Sequence, residues 1–140
     1  MKKTTGLLII LLTFVLRMNA QSLTENEIVG TWSVLQINVL TKLPDEQKKT
    51  IDRLKEAFLR SKFEFNADHT FVFDFELEKL KIANGYWKYN DWNKSFVIQD
   101  QKDKDTNDWK LMEIFTKKDG DKIVFQLRDI FVELVMNKDF

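Results

Sequence analysis

Alternation with period two runs through most of this chain, which is the mark of strands with one face inside a fold. It is clearest in "FEF" (63–65) and "FVFDFEL" (71–77), where Phe71, Phe73, Phe75 and Leu77 share one face and Val72, Asp74 and Glu76 the other. The turn between them is "NADH", and His69 falls where a positive φ is often required, which histidine tolerates. Asn84-Gly85 predicts a two-residue hairpin turn pairing Ala83 with Tyr86, Ile82 with Trp87 and Leu80 with Tyr89. Apolar parity shifts between Leu77 and Leu80, so a bulge or break is expected near Glu78 and Lys79. Further strands are predicted at 95–99, 109–116, 122–128 and 131–137, the last with poor parity. One segment departs from period two. In "PDEQKKTIDRLKEAFLRS" (44–61), Ile51, Leu54 and Phe58 recur at spacings of three and four, a narrow apolar helical stripe. Pro44, Asp45 and Glu46 at its start and Arg60 near its end suit a helix there.

The sequence therefore reads as all-β: a first strand (29–40), one amphipathic helix (44–60) and seven more strands joined mostly by short turns. Eight antiparallel strands in simple order predict an up-and-down barrel, which leaves no sheet edge exposed. An open roll or a sandwich is the alternative, although a helix after the first strand fits an immunoglobulin-type sandwich badly. Gly30 and Trp32 of "IVGTW" suit the entry to such a barrel. Glycine allows a sharp corner, and a tryptophan two residues on points the same way and can plug the barrel bottom. Gly85 and Trp87 of "NGYW" are expected to do similar work inside the hairpin.

These motifs resemble those of the lipocalin-like (calycin) proteins, and most closely the small secreted lipocalin-like domains of bacteria. In that group a Gly-x-Trp start is followed by an "FNADGTF"-like turn and a second Gly-x-Trp. This chain reads "FEFNADHTFVF" and "NGYW", with His69 in place of the usual glycine. The layout matches over nearly all of residues 21–140, the motifs over about fifteen residues. The Thr-Asp-Tyr turn of the larger lipocalins is absent. The resemblance implies a non-catalytic protein that holds a small hydrophobic molecule inside the barrel. It also makes Arg128 the candidate for the late arginine that stacks on the first tryptophan. The fatty-acid-binding proteins carry two helices between their first two strands as a lid; this chain offers one.

The chain has 140 residues, enough for one domain. Residues 1–20 read as a secretory signal: Lys2 and Lys3, then an apolar stretch from Leu7 to Leu16, then Ala20 at a plausible cleavage point. Met18 is larger than usual for its place before the cut. The stretch is too short to span a bilayer as a helix. Export to the periplasm or beyond the cell is the expectation, with residues 21–140 as the barrel domain and no transmembrane segment after signal removal. Without Lys2, Lys3 and Arg17, 19 basic residues face 22 acidic ones. That balance of −3 argues against a nucleic-acid surface and gives no attraction to anionic membranes. There is no cysteine, so stability must come from packing, to which Phe, Trp and Tyr contribute heavily.

Candidate chemistry is sparse. His69 is the lone histidine, with no nucleophile or second ligand in evident partnership, so no enzyme activity and no cofactor are expected. Asp103, Asp105 and Asn107 match the first three oxygen positions of a calcium loop, but Asp108 and Ile114 stand where glycine and glutamate belong. A solvated loop is the better reading. An eight-strand interior is just wide enough to be filled by side chains or to hold one small ligand. Trp32, Phe63, Phe73 and Trp87 are the candidate lining residues, with Gly30, Trp32, Gly85 and Arg128 in structural roles. The rival function is a closed barrel that binds a secreted or envelope protein through the 100–108 loop and Trp92.

Overall fold

The computed structural model describes residues 21–75, 77 and 81–140. The expected signal (1–20), the break near Glu78 and Lys79 and the partner strand position Leu80 lie outside the described residues. The chain forms a short helix α1 (Glu25–Ile28) and eight strands: β1 (Gly30–Val39), β2 (Lys62–Phe65), β3 (Thr70–Asp74), β4 (Ile82–Asn90), β5 (Ser95–Asp100), β6 (Met112–Asp119), β7 (Lys122–Leu127) and β8 (Val132–Asp139). The second helix, α2 (Lys48–Leu59), lies between β1 and β2 and is preceded by a 3-10 turn, Asp45–Gln47. Every strand pairs with its sequence neighbour, and β1 pairs antiparallel with β8, closing the barrel. Closure satisfies the backbone groups of both terminal strands, so no edge remains to template aggregation.

Two bulges set which side chains enter the barrel. Between Val34 and Gln36 the β1–β8 register shifts, leaving Leu35 as the extra residue, 61% exposed. Trp32 and Val34 face inward before the bulge, Ile37 and Val39 pack on the core after it, and the strand inverts its parity without leaving the sheet. The second bulge replaces the predicted hairpin. Phe71 pairs with Gly85 and Phe73 with Ile82, so three residue steps on β4 oppose two on β3. Asn84-Gly85 is therefore interior to a nine-residue strand, and the expected Ala83–Tyr86 and Ile82–Trp87 pairs do not form. The reason for glycine here is room rather than a turn. A Cβ on Gly85 would lie 2.8 Å from the Phe71 carbonyl oxygen and 3.0 Å from its ring.

The end of the barrel at the starts of β1, β5 and β7 is sealed. Gly30 has φ 139°, the corner at which α1 turns into β1. The missing Cβ leaves space for the Lys138 stem, which crosses it to donate to the Glu27 carbonyl at 3.0 Å. Trp32 donates from Nε1 to the Ile28 carbonyl at 2.8 Å and lies 5.2 Å from the Phe125 ring. Ile28 and Leu23 are buried beside it. A capping box of Thr24 and Glu27 holds α1, and Glu27 pairs with Lys118 of β6. The cation over Trp32 is Lys138, 5.4 Å from the ring centroid. Arg128 does not reach Trp32: it stacks on Phe115 at 3.7 Å, because it starts the 3-10 turn after β7, at the opposite end of the barrel.

Candidate functional site

The barrel interior has two unequal halves. From the sealed end to its middle it is solid. Phe63, Phe65, Phe71, Trp87, Phe96 and Phe125 are each at most 1% exposed. Phe65 is their hub, with ring centroids 4.9 Å from Phe71, 6.0 Å from Trp87 and Phe96, and 6.2 Å from Phe125, all edge-to-face. His69 braces this half from outside. Its φ is 69°, its ring stacks on Trp87 at 4.0 Å, and Nδ1 lies 2.9 Å from the Trp87 carbonyl. A carbonyl only accepts, so Nδ1 carries the proton. Trp87 in turn donates from Nε1 to the Asn66 carbonyl at 2.9 Å.

Toward the other end the interior opens into a cavity of about 720 Å³. Its floor is Phe73, whose ring lies tilted 4.4 Å from that of Phe63. Its wall includes Phe75, Ile82 and Leu127, and its roof is the apolar stripe of α2, Leu54 and Phe58. Phe58 lies 4.8 Å from Phe75, and that contact anchors the helix over the opening. The helix end is fixed as well, since Ser61 donates from Oγ to the Phe58 carbonyl at 2.6 Å. The β4 bulge at Ala83 and Asn84 forms part of the rim.

The polar rim is Lys81, Asn84, Asp100, Glu113 and Asp129. Asp100 accepts from the Lys102 N–H at 3.1 Å and so caps the turn that follows β5. Lys81 pairs with Asp74 at 3.6 Å. Glu113 accepts from Ser95 Oγ and Lys110 Nζ, both at 2.7 Å. Burial pushes the Glu113 carboxyl up, but the hydrogen bonds from Lys110 and Ser95 outweigh it and hold the group below the ordinary carboxylate range. The same bond to Glu113 raises the Lys110 ammonium above its usual value.

Of the four candidate lining residues, the structure places Phe73 on the cavity and sets Phe63 and Trp87 in the packed half; Trp32 closes the far end. The helix residues Leu54 and Phe58, and Phe75, were visible as apolar faces without any sign that they border a space. In the 103–108 loop, Thr106 turns back onto the Asp103 carbonyl, and Gln99 donates to the Thr106 carbonyl at 2.8 Å. Among the described residues no three His, Cys, Asp or Glu side chains converge as a metal site.

No family model matches the chain, and no curated protein matches it significantly. A crystal structure described as a DUF4847 family protein from Bacteroides vulgatus ATCC 8482 is similar, with a TM-score of 0.43 and 16% identity over 80% of this chain and 95% of that one. The class of protein defined by the fold is a closed eight-stranded antiparallel barrel with one helix after its first strand. A likeness at that score adds no function to it.

Proposed function

We propose that this chain is an exported, non-catalytic, lipocalin-like protein that holds a small apolar molecule in the cavity beneath α2. The observation that carries this reading is the cavity: about 720 Å³, with Leu54, Phe58, Phe73, Phe75, Ile82 and Leu127 on its surface. Its volume is in the range of small-molecule pockets, which are mostly apolar with a few polar groups at defined points. Burial of ligand surface there contributes about 25 cal/mol per Å² before entropy costs. The non-catalytic part of the reading is supported by His69, whose ring is committed to Trp87, and export is supported by the pattern of residues 1–20.

Titration of the neutral fluorophore N-phenyl-1-naphthylamine into the purified 21–140 domain is expected to give saturable binding with enhanced, blue-shifted emission. Leu54→Arg, which puts a charge at the half-buried roof, is expected to abolish it while leaving the circular dichroism spectrum unchanged. Absence of saturable binding to this and other apolar probes overturns the reading. The rival reading, a module for a secreted or envelope protein, is favoured by Trp92 at 94% and Trp109 at 71% exposure. It requires a stoichiometric partner in the native envelope that Trp92→Ala or Trp109→Ala no longer binds.

A further inference from the structure

We propose that the cavity takes the uncharged apolar end of an amphiphile, tail first, leaves the head at the rim, and selects neutral or cationic heads over anionic ones. The inference rests on the carrier reading and deepens it.

Tail-first entry follows from what the interior lacks. Among the described residues the buried polar side chains are Ser61, Ser95, Gln99 and Thr116, and none of them lines the cavity. Among the described residues no Lys, Arg or His is buried in the barrel to meet a carboxylate, and no acid is buried to meet an ammonium. An ion placed there would be desolvated without a partner, so the inserted end must be uncharged. The floor sets how far the tail enters. Below Phe73 the barrel is filled by Phe63 and Phe125, both at 0% exposure, so the tail stops there and does not reach the sealed end.

Head selectivity follows from which rim charges are already committed. Lys81, the cation on the rim, has Asp74 as its partner at 3.6 Å, and Glu113 has Lys110 at 2.7 Å. Asp100 and Asp129 remain, and neither makes a salt bridge among the described residues. Lys110 also feels Asp129, but counted together Lys81 and Lys110 face Asp74, Asp100, Glu113 and Asp129, so among these described groups a head held at the mouth meets an excess of two carboxylates. That field repels an anion and attracts a cation, and salt weakens it because the rim is wet.

The test uses three compounds that share one tail, each kept below its micelle threshold: decyltrimethylammonium, 1-decanol and decanoate. Each competes with bound N-phenyl-1-naphthylamine in the wild-type domain and in Asp100→Asn/Asp129→Asn, in low and high salt. Asparagine still caps the turn after β5, so the variant is expected to fold. The expected result is displacement by the cation and the alcohol, with decanoate weaker than the cation by about fivefold or more at low salt. The double variant and high salt should both narrow that gap. Decanoate equal to or stronger than the cation, or a gap that persists in the variant, overturns the inference while the carrier reading stands. Failure of the fluorophore and all three compounds to bind overturns the carrier reading, and this inference with it.

Discussion

The two halves of the barrel are built from the same strands and the same residue type, yet one is solid and the other hollow. On β2 and β3, Phe63, Phe65 and Phe71 pack into the solid half, while Phe73 of β3 and Phe75 just beyond its end border the cavity. What differs is what crosses the interior. At the sealed end Phe125 and Phe96 come in from β7 and β5 to meet Phe65, and Trp32 and Ile28 cover the bottom. At the open end a helix covers the mouth instead of a ring of inward side chains, and α2 contributes just one narrow stripe. Hydrophobic content alone thus does not determine whether a barrel is filled; the depth of each ring along its strand does.

The sharpest way to break that distinction is a pair of truncations. Phe65→Ala removes the hub of the packed half, where no neighbour can collapse to fill the space, and is expected to cost about 3–5 kcal/mol. Phe75→Ala enlarges a space that already exists, so its cost is expected to be roughly half of that, with altered probe affinity. Urea unfolding of both variants checks this. Equal losses would mean that the two halves are packed alike and that the cavity is not a separate compartment.

Glycines sharpen the comparison next. Gly85→Ala drives a Cβ into the Phe71 backbone and ring in the packed half and is expected to cost about 1–3 kcal/mol. Gly120 sits in the β6–β7 turn at φ 61° with nothing within 4 Å of its missing Cβ. Gly120→Ala therefore meets backbone strain alone, about 1 kcal/mol. Thermal unfolding ranks the two, and a neutral Gly85→Ala would remove the close-approach explanation of the β4 bulge.

How far these features were legible follows from the kind of signal each one leaves. Alternation and turn spacing determine strand count and order, and the barrel was readable from them. The stripe of Ile51, Leu54 and Phe58 announced α2. Asn84-Gly85 misled because glycine serves both positive φ and close approach, and a dipeptide does not distinguish them. Lys138 rather than Arg128 lies over Trp32 because the partner depends on which strand end neighbours β1, and β8 returns antiparallel to it. The cavity itself was not legible. Phe63 and Phe73 share the inward face and even pair with each other, so their alternation is identical whether the space above them is empty or full.

Acidification gives the smallest expected effect and compares the polar ties at the two ends. At the sealed end the Lys118 hydrogen bond outweighs burial and, helped by the Thr24 bonds, holds Glu27 below its ordinary range; at the open end burial is the largest single effect on Glu113, and Lys110 and Ser95 together overcome it. A carboxyl whose folded value is depressed adds stability above its unfolded value, and that stability is lost as pH falls through the folded value. Lys110 is the converse: its raised value stabilises below the ordinary lysine range and is lost as pH climbs through the folded value. The Glu113 side chain is 12% exposed and that of Glu27 39%, so solvent screens the sealed-end pair more. Glu113→Gln is therefore expected to cost about 0.5 kcal/mol near neutrality and to flatten the stability loss on the acid side of the carboxylate range. Glu27→Gln should do less, although it also alters the capping box. Chemical denaturation from neutral pH down through that range checks both, and a larger acid-limb change in Glu27→Gln would make the sealed end, rather than the cavity mouth, the more electrostatically dependent half.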